Sequence, residues 1–139
     1  DVLPRIGAGF DYAPRRKLPW LAQDLACLGV TPAPFPRLPR PPWRDIAVTR
    51  RGELAGVLYA IEGASLGGQV ISRYLARHHG LDHDSGARFY HGYGDATPAR
   101  WEQFCAWLET LPGGHELDCA RAMARRFFDC IEATLDAYV

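Results

Sequence analysis

Between residues 51 and 79 the chain carries an apolar stripe at helical spacing, and three glycines sit in the middle of it. Leu54, Val57, Leu58, Ile61, Leu66, Val70, Ile71 and Leu75 keep a helical period, which predicts one long helix. Its centre reads Gly63-Ala64-Ser65-Leu66-Gly67-Gly68. Each glycine inside a helix costs about 1 kcal/mol against alanine. A helix that keeps three of them either bends there or has something lying very close to its backbone. Gly63 and Gly67, four apart, share one face. Two readings follow: a small-residue seam against a neighbouring helix, or bare backbone lying over a flat ligand. A phosphate-binding loop does not fit, because no strand precedes the glycines and no lysine follows at the required place.

The rest of the chain is also helical in pattern. Residues 15–28 form a first helix with Leu18, Leu21, Leu25 and Leu28 as one stripe, Pro19 in the first turn and Gly29 as the stop. Six of the eleven prolines fall within residues 31–43, a density that excludes helix or central strand and predicts an extended connector across the surface. A loop with a short helical piece near 85–90 follows. Thr97 and Pro98 read as N-cap and first helical position of a helix whose buried face is Trp101, Phe104, Cys105 and Leu108. A last helix runs from His115 to about Tyr138. No segment alternates as a strand would. The expectation is an all-α fold, about five helical pieces bundled into a single domain over residues 1–139.

Charge narrows the function classes. Sixteen basic residues balance sixteen acidic ones, 47% of residues are hydrophobic and 23% charged, so the chain is globular in composition and lacks the basic excess of a nucleic-acid binder. Cys27, Cys105, Cys119 and Cys130 form no CxxC pair. They read as small core residues in a reducing compartment, with no disulfide. No uncharged apolar run approaches the ~18 residues of a membrane span, and no signal-peptide pattern opens the chain. A cytoplasmic protein without membrane partners is expected. The first residues, Asp-Val-Leu-Pro, read as a start within a longer protein. His78, His79 and His83 gather where the long helix ends, beside Asp82 and Asp84. A solvated helix terminus favoured by the dipole accounts for them, and no metal site is assigned. No Ser-His-Asp or Cys-His arrangement stands out.

The stretch Gly56 to Leu75, GlyValLeuTyrAlaIleGluGlyAlaSerLeuGlyGlyGlnValIleSerArgTyrLeu, resembles the distal helix of heme oxygenases, most of all the bacterial branch associated with bacteriophytochromes. The similarity continues through Gly86 to Gly94 (GlyAlaArgPheTyrHisGlyTyrGly) and Thr97 to Phe104, and AspLeuAlaCysLeuGly at 24–29 shares the family's look. It spans about residues 15–135. The Gly63 to Gln69 core with the Phe-Tyr and Gly-Tyr-Gly elements is moderately specific.

The resemblance implies an all-α domain that sandwiches heme between a proximal and a distal helix. Heme is then both cofactor and substrate. Dioxygen and electrons from an external donor open it to biliverdin, with release of CO and ferrous iron. Gly63, Gly67 and Gly68 match the family positions where glycine backbone lies over the ring. Ala64 stands where many members have an Asp that organises distal water. Tyr59 and Arg100 are candidates for the heme edge. Phe127 is a candidate pocket wall, with core packing equally open. Implied partners are heme, a reductant or electron-donor protein, and a bacteriophytochrome as biliverdin acceptor. The family's proximal histidine lies upstream of every matched element, and residues 1–50 hold no histidine. A ligand on a preceding segment is expected. A natural protein that no longer binds heme normally, or ligation by another residue, are the alternatives. The rival function is a non-catalytic helical domain of the same architecture that binds a tetrapyrrole or a protein, or one that takes another small ligand.

Overall fold

The structure is a computed structural model that describes residues 9–30 and 46–137. A 3-10 turn at Ala13–Arg15 leads into α1 (Leu18–Cys27). The long helix α2 spans Arg51–His79, and the short α3 spans Arg88–His91. A second 3-10 turn, Gly94–Ala96, runs into α4 (Thr97–Leu108), and α5 (His115–Asp136) closes the sequence. The all-α expectation holds, with no strand among the described residues. Residues 1–8, the proline-rich segment and the expected helix end at Tyr138 lie outside them.

The described residues form two compact units, one of 9–10, 46–61 and 104–137, the other of 11–30 and 62–103. Helix α2 gives its first part to one and the remainder to the other, and it is helical without interruption from Arg51 to His79. It is long and apolar enough to pass as a membrane span by length and composition. However, Glu62 near its middle is buried and ion-paired within the protein, the arrangement of a packed bundle helix.

In the first unit α2 starts on a local cap. Glu53 reaches back to accept the backbone N–H of Arg50 at 3.1 Å and of Thr49 at 2.8 Å, which satisfies donors that the first turn leaves without partners. Gly52 and Gly56 then let the backbone of α5 come close. A Cβ on Gly56 would stand 2.4 Å from the Ala120 carbonyl oxygen. The small-residue seam anticipated for Gly63 and Gly67 is thus made about two and three turns before Gly63, at Gly56 and Gly52. Phe104, Trp107, Leu54, Leu58 and Met123 are the large buried apolar side chains described here, and Phe10 closes on Phe104 and Trp107 at ring distances of 5.7 and 4.7 Å.

The second unit is built the other way round. The buried residue of α1 is Asp24, whereas Leu18, Leu21 and Leu28 of its apolar stripe are exposed. Asp24 accepts the backbone N–H groups of Arg88 and Phe89, both at 2.7 Å. It therefore caps α3 from a distant part of the sequence, an anion at the positive end of a helix. Arg88 in turn lies over the Trp20 ring at 4.5 Å. Thr97 is no N-cap. Its dihedrals are helical (φ −55°, ψ −46°) because the preceding 3-10 turn leads directly into α4. Its hydroxyl instead donates to the Gly94 carbonyl at 2.7 Å and accepts from Gln69 Nε2 at 3.2 Å. The cysteines also depart from expectation. Cys27 is exposed and Cys105, Cys119 and Cys130 are half-buried, all as free thiols. They flank the core faces, and positions such as Phe104 and Ala120 beside them fill the core.

Asp24→Ala leaves two backbone donors without their charged acceptor. The expected loss is about 2–3 kcal/mol, read as a lower midpoint in urea unfolding. A midpoint equal to that of the parent protein would show that the cap does not hold α3 in place.

Candidate functional site

In the second unit α2 is polar on its packed side and apolar on its open side. Glu62 is only 2% exposed, Ser65 is buried and Gln69 is half-buried. Gln69 donates to the His91 carbonyl at 2.6 Å. On the opposite side Val70 is 61% exposed, Tyr74 55% and Ile71 43%. By helical geometry Gly63, Ala64, Gly67, Val70, Ile71 and Tyr74 fall within about 60° of one line along the helix. A helix whose charges point inward and whose aliphatic chains point out inverts the usual amphipathic order. Exposed apolar side chains gathered on one side of a helix make a candidate binding face.

Gly67 lies at the centre of that face. A Cβ built on it meets nothing within 4 Å, so the backbone there is bare. Gly63, half-buried, has the Trp101 ring beside it, 3.7 Å from where its Cβ would stand. Ala64 is exposed. Gly68 is different: it is buried, and a Cβ there would come 2.9 Å from the Tyr90 carbonyl oxygen. It lets the segment around Tyr90 pack against the helix. Arg100 belongs to the same unit, with its guanidinium 5.7 Å from the centre of the Tyr93 ring. Tyr59 and Phe127 belong to the other unit. There Tyr59 lines a cavity of about 480 Å³ together with Gly56, Leu117 and Phe128, and Phe127 is half-buried on α5.

The polar side is the part that sequence reasoning missed. The Glu62 carboxylate takes Arg15 Nη1 at 2.7 Å and Lys17 Nζ at 2.6 Å. The Tyr93 hydroxyl lies 3.1 and 3.0 Å from its two oxygens. Arg15 is itself buried and also donates to the Arg100 carbonyl at 3.1 Å and to Gln103 Oε1 at 3.2 Å. Burial, and then the adjacent carboxylate, push the Tyr93 phenol well above its ordinary value, so it stays a protonated donor. Burial lowers Lys17 despite its bond to Glu62. The one available signal was an ionisable residue inside an otherwise apolar helical run.

The histidines at the end of α2 and just beyond it lie in the open. Tyr74 stacks on His78 at 4.4 Å, and His83 pairs with Asp84 at 3.1 Å in the open. Asp82, His83 and Asp84 are exposed, and the Asp82 carboxylate serves the turn, accepting the Ser85 hydroxyl at 2.8 Å and the Asp84 N–H at 2.9 Å.

The two central glycines are expected to respond oppositely to a methyl group. Gly67→Ala fills open space and gains up to about 1 kcal/mol of helix propensity. Gly68→Ala drives its Cβ into the Tyr90 carbonyl and loses about 1–3 kcal/mol. Thermal unfolding of both variants checks this, and a stabilised Gly68→Ala would contradict the packing described.

The sequence model of the heme oxygenase family matches residues 16–128. A heme oxygenase of Xanthomonas campestris pv. campestris (strain 8004) is 36% identical over 134 residues, covering 92% of this chain and 73% of that protein. No solved structure matches the chain. The bare glycine face of α2 falls within the matched region, and by the extent of that match the chain belongs to the heme oxygenase family, whose chemistry is the oxidative degradation of heme.

Proposed function

We propose that the Gly63–Gly67 face of α2 is the distal wall of a heme site, and that the protein opens heme to biliverdin with release of CO and ferrous iron. The inverted amphipathicity of α2, with Gly67 bare at its centre, carries this reading. Heme bound there supplies oxygen activation at its iron, drawing on dioxygen and on electrons from an external donor. The residues of the chain supply the surroundings. Gly67 offers backbone where any side chain would hold a flat ring away. Trp101 stands beside Gly63 and limits how far a ring can shift along the helix. Val70 and Ile71 extend the wall as aliphatic surface, which excludes bulk water from the ring face. Ala64 contributes no carboxylate to this face.

The other assignments rest on the resemblance: Gly68 beside the glycine face, Tyr59 and Arg100 at the edge of the macrocycle, Phe127 as a wall, and a proximal ligand beyond the residues matched here. A cytoplasmic setting, a single domain and a bacteriophytochrome as recipient of the biliverdin complete the reading. The family match runs through residues of both units, which supports treating them as one domain.

Gly67→Leu tests this. Outside the helix's own neighbouring backbone no atom stands within 4 Å of a Cβ at that position, so the variant is expected to fold with thermal stability no lower than the parent's. It is also expected to bind hemin at least about tenfold more weakly and to yield no biliverdin. Parental hemin affinity and biliverdin yield in that variant would show that Gly67 faces no ring.

A further inference from the structure

We propose that Glu62 is a positioning residue for heme cleavage: its buried contacts with Arg15, Lys17 and Tyr93 fix the rotation of α2 about its axis, and so which edge of the bound ring meets the oxygen side of the site. This rests on the reading of the Gly63–Gly67 face as the heme wall.

The geometry is specific. Glu62 immediately precedes Gly63 and lies about 140° around the helix from Gly67. Three stretches of chain converge on its carboxylate: the 3-10 turn through Arg15, the start of α1 through Lys17, and the segment after α3 through Tyr93. Each of its oxygens is held by one cation and by the phenol. A rotation of α2 by one residue, about 100°, would break all of these contacts and turn Gly67 away from its present open position. Apolar packing alone is a poor substitute for this function, because the helix has aliphatic residues on the open side as well and would bury either face. A buried ion pair is weak evidence for stability, and its best-attested use is to select one arrangement over its neighbours. The cluster serves that purpose here, since it makes one rotation of an otherwise ambiguous helix the satisfied one. Ser65, one turn along the same side, has a buried hydroxyl with no hydrogen-bond partner, so the register is held at Glu62 and Gln69.

The test compares ring-opening regiochemistry with stability in the complete protein. Removing Glu62 alone would strand two cations in the interior, so the informative variant replaces the whole cluster: Arg15→Met, Lys17→Met and Glu62→Leu together. Such replacements commonly preserve stability. The triple variant is expected to unfold within a few degrees of the parent and still bind hemin. Its hemin absorption spectrum is expected to change, and its ratio of major to minor biliverdin isomer to fall about tenfold. A merely structural cluster would move the midpoint and leave the isomer ratio alone. Tyr93→Phe, which removes the phenol and keeps both ion pairs, is expected to fold and to shift the isomer ratio in the same direction by a smaller factor. The proposal is overturned if the triple variant folds and keeps the parental spectrum and isomer ratio. It is equally overturned if the triple variant does not fold while Tyr93→Phe keeps both. Gly67→Leu, run in parallel, separates the two ideas: parental hemin binding there defeats the heme-wall reading itself, whatever the cluster variants do.

Discussion

One carboxylate organises the half of the molecule that carries the candidate site. Glu62, in the interior, draws in two cations and a phenol from three different stretches of chain. An unpaired carboxylate at that depth would be far too costly to keep, so the side chains that neutralise it must arrive together. Their arrival places the 3-10 turn before α1, the start of α1 itself and the segment around Tyr93 against one side of α2. Asp24 repeats the device on a smaller scale, with backbone amides as its donors. The second unit is therefore held by directional polar contacts to a greater degree than the first, where Gly52 and Gly56 bring helices together and aromatic rings fill the core.

The consequence for function is the surface left over. With polar groups turned inward, the aliphatic residues of α2 face outward, and the glycines that would otherwise only weaken the helix become the flattest part of an apolar wall. Four glycines of α2, at 52, 56, 63 and 67, fall along one side of the helix by its geometry. The first two are closed over by α5, and Gly67 is open. The same residue type thus meets two surroundings along the helix, a packed neighbour at Gly52 and Gly56 and open space at Gly67.

Much of this was legible in the sequence. The extent of α2, the all-helical class and the start of α5 follow from periodicity and stop signals, and the Gly63 to Gln69 motif pointed to the family. What could not be read was the sense of the faces. Periodicity finds an apolar stripe and assumes that it points inward, and for Leu18 and Leu21 of α1, for Leu28 just after it and for Val70 and Ile71 of α2 that assumption fails. The partners of Glu62 lie 45 and 47 residues before it and 31 after it, distances at which pairing leaves no local trace. Gly68 looked like Gly67 in sequence, because nothing near it announces that the Tyr90 carbonyl will close against it. Thr97 was misread as a cap because the 3-10 turn before it lacks a sequence signature of its own.

The proposed heme wall requires that a flat ligand cover the open face of α2 at Gly67. Methyl-resolved NMR during titration with ferric hemin addresses it most directly, because the paramagnetic iron broadens nearby methyl resonances in proportion to proximity, with the gallium porphyrin as diamagnetic reference. Val70 and Ile71 are expected to broaden first, while the methyl of Thr97, whose hydroxyl accepts from Gln69 on the packed side of the helix, stays sharp. Broadening of Thr97 with Val70 and Ile71 unaffected would place the ligand elsewhere and overturn the reading of this face as a heme wall.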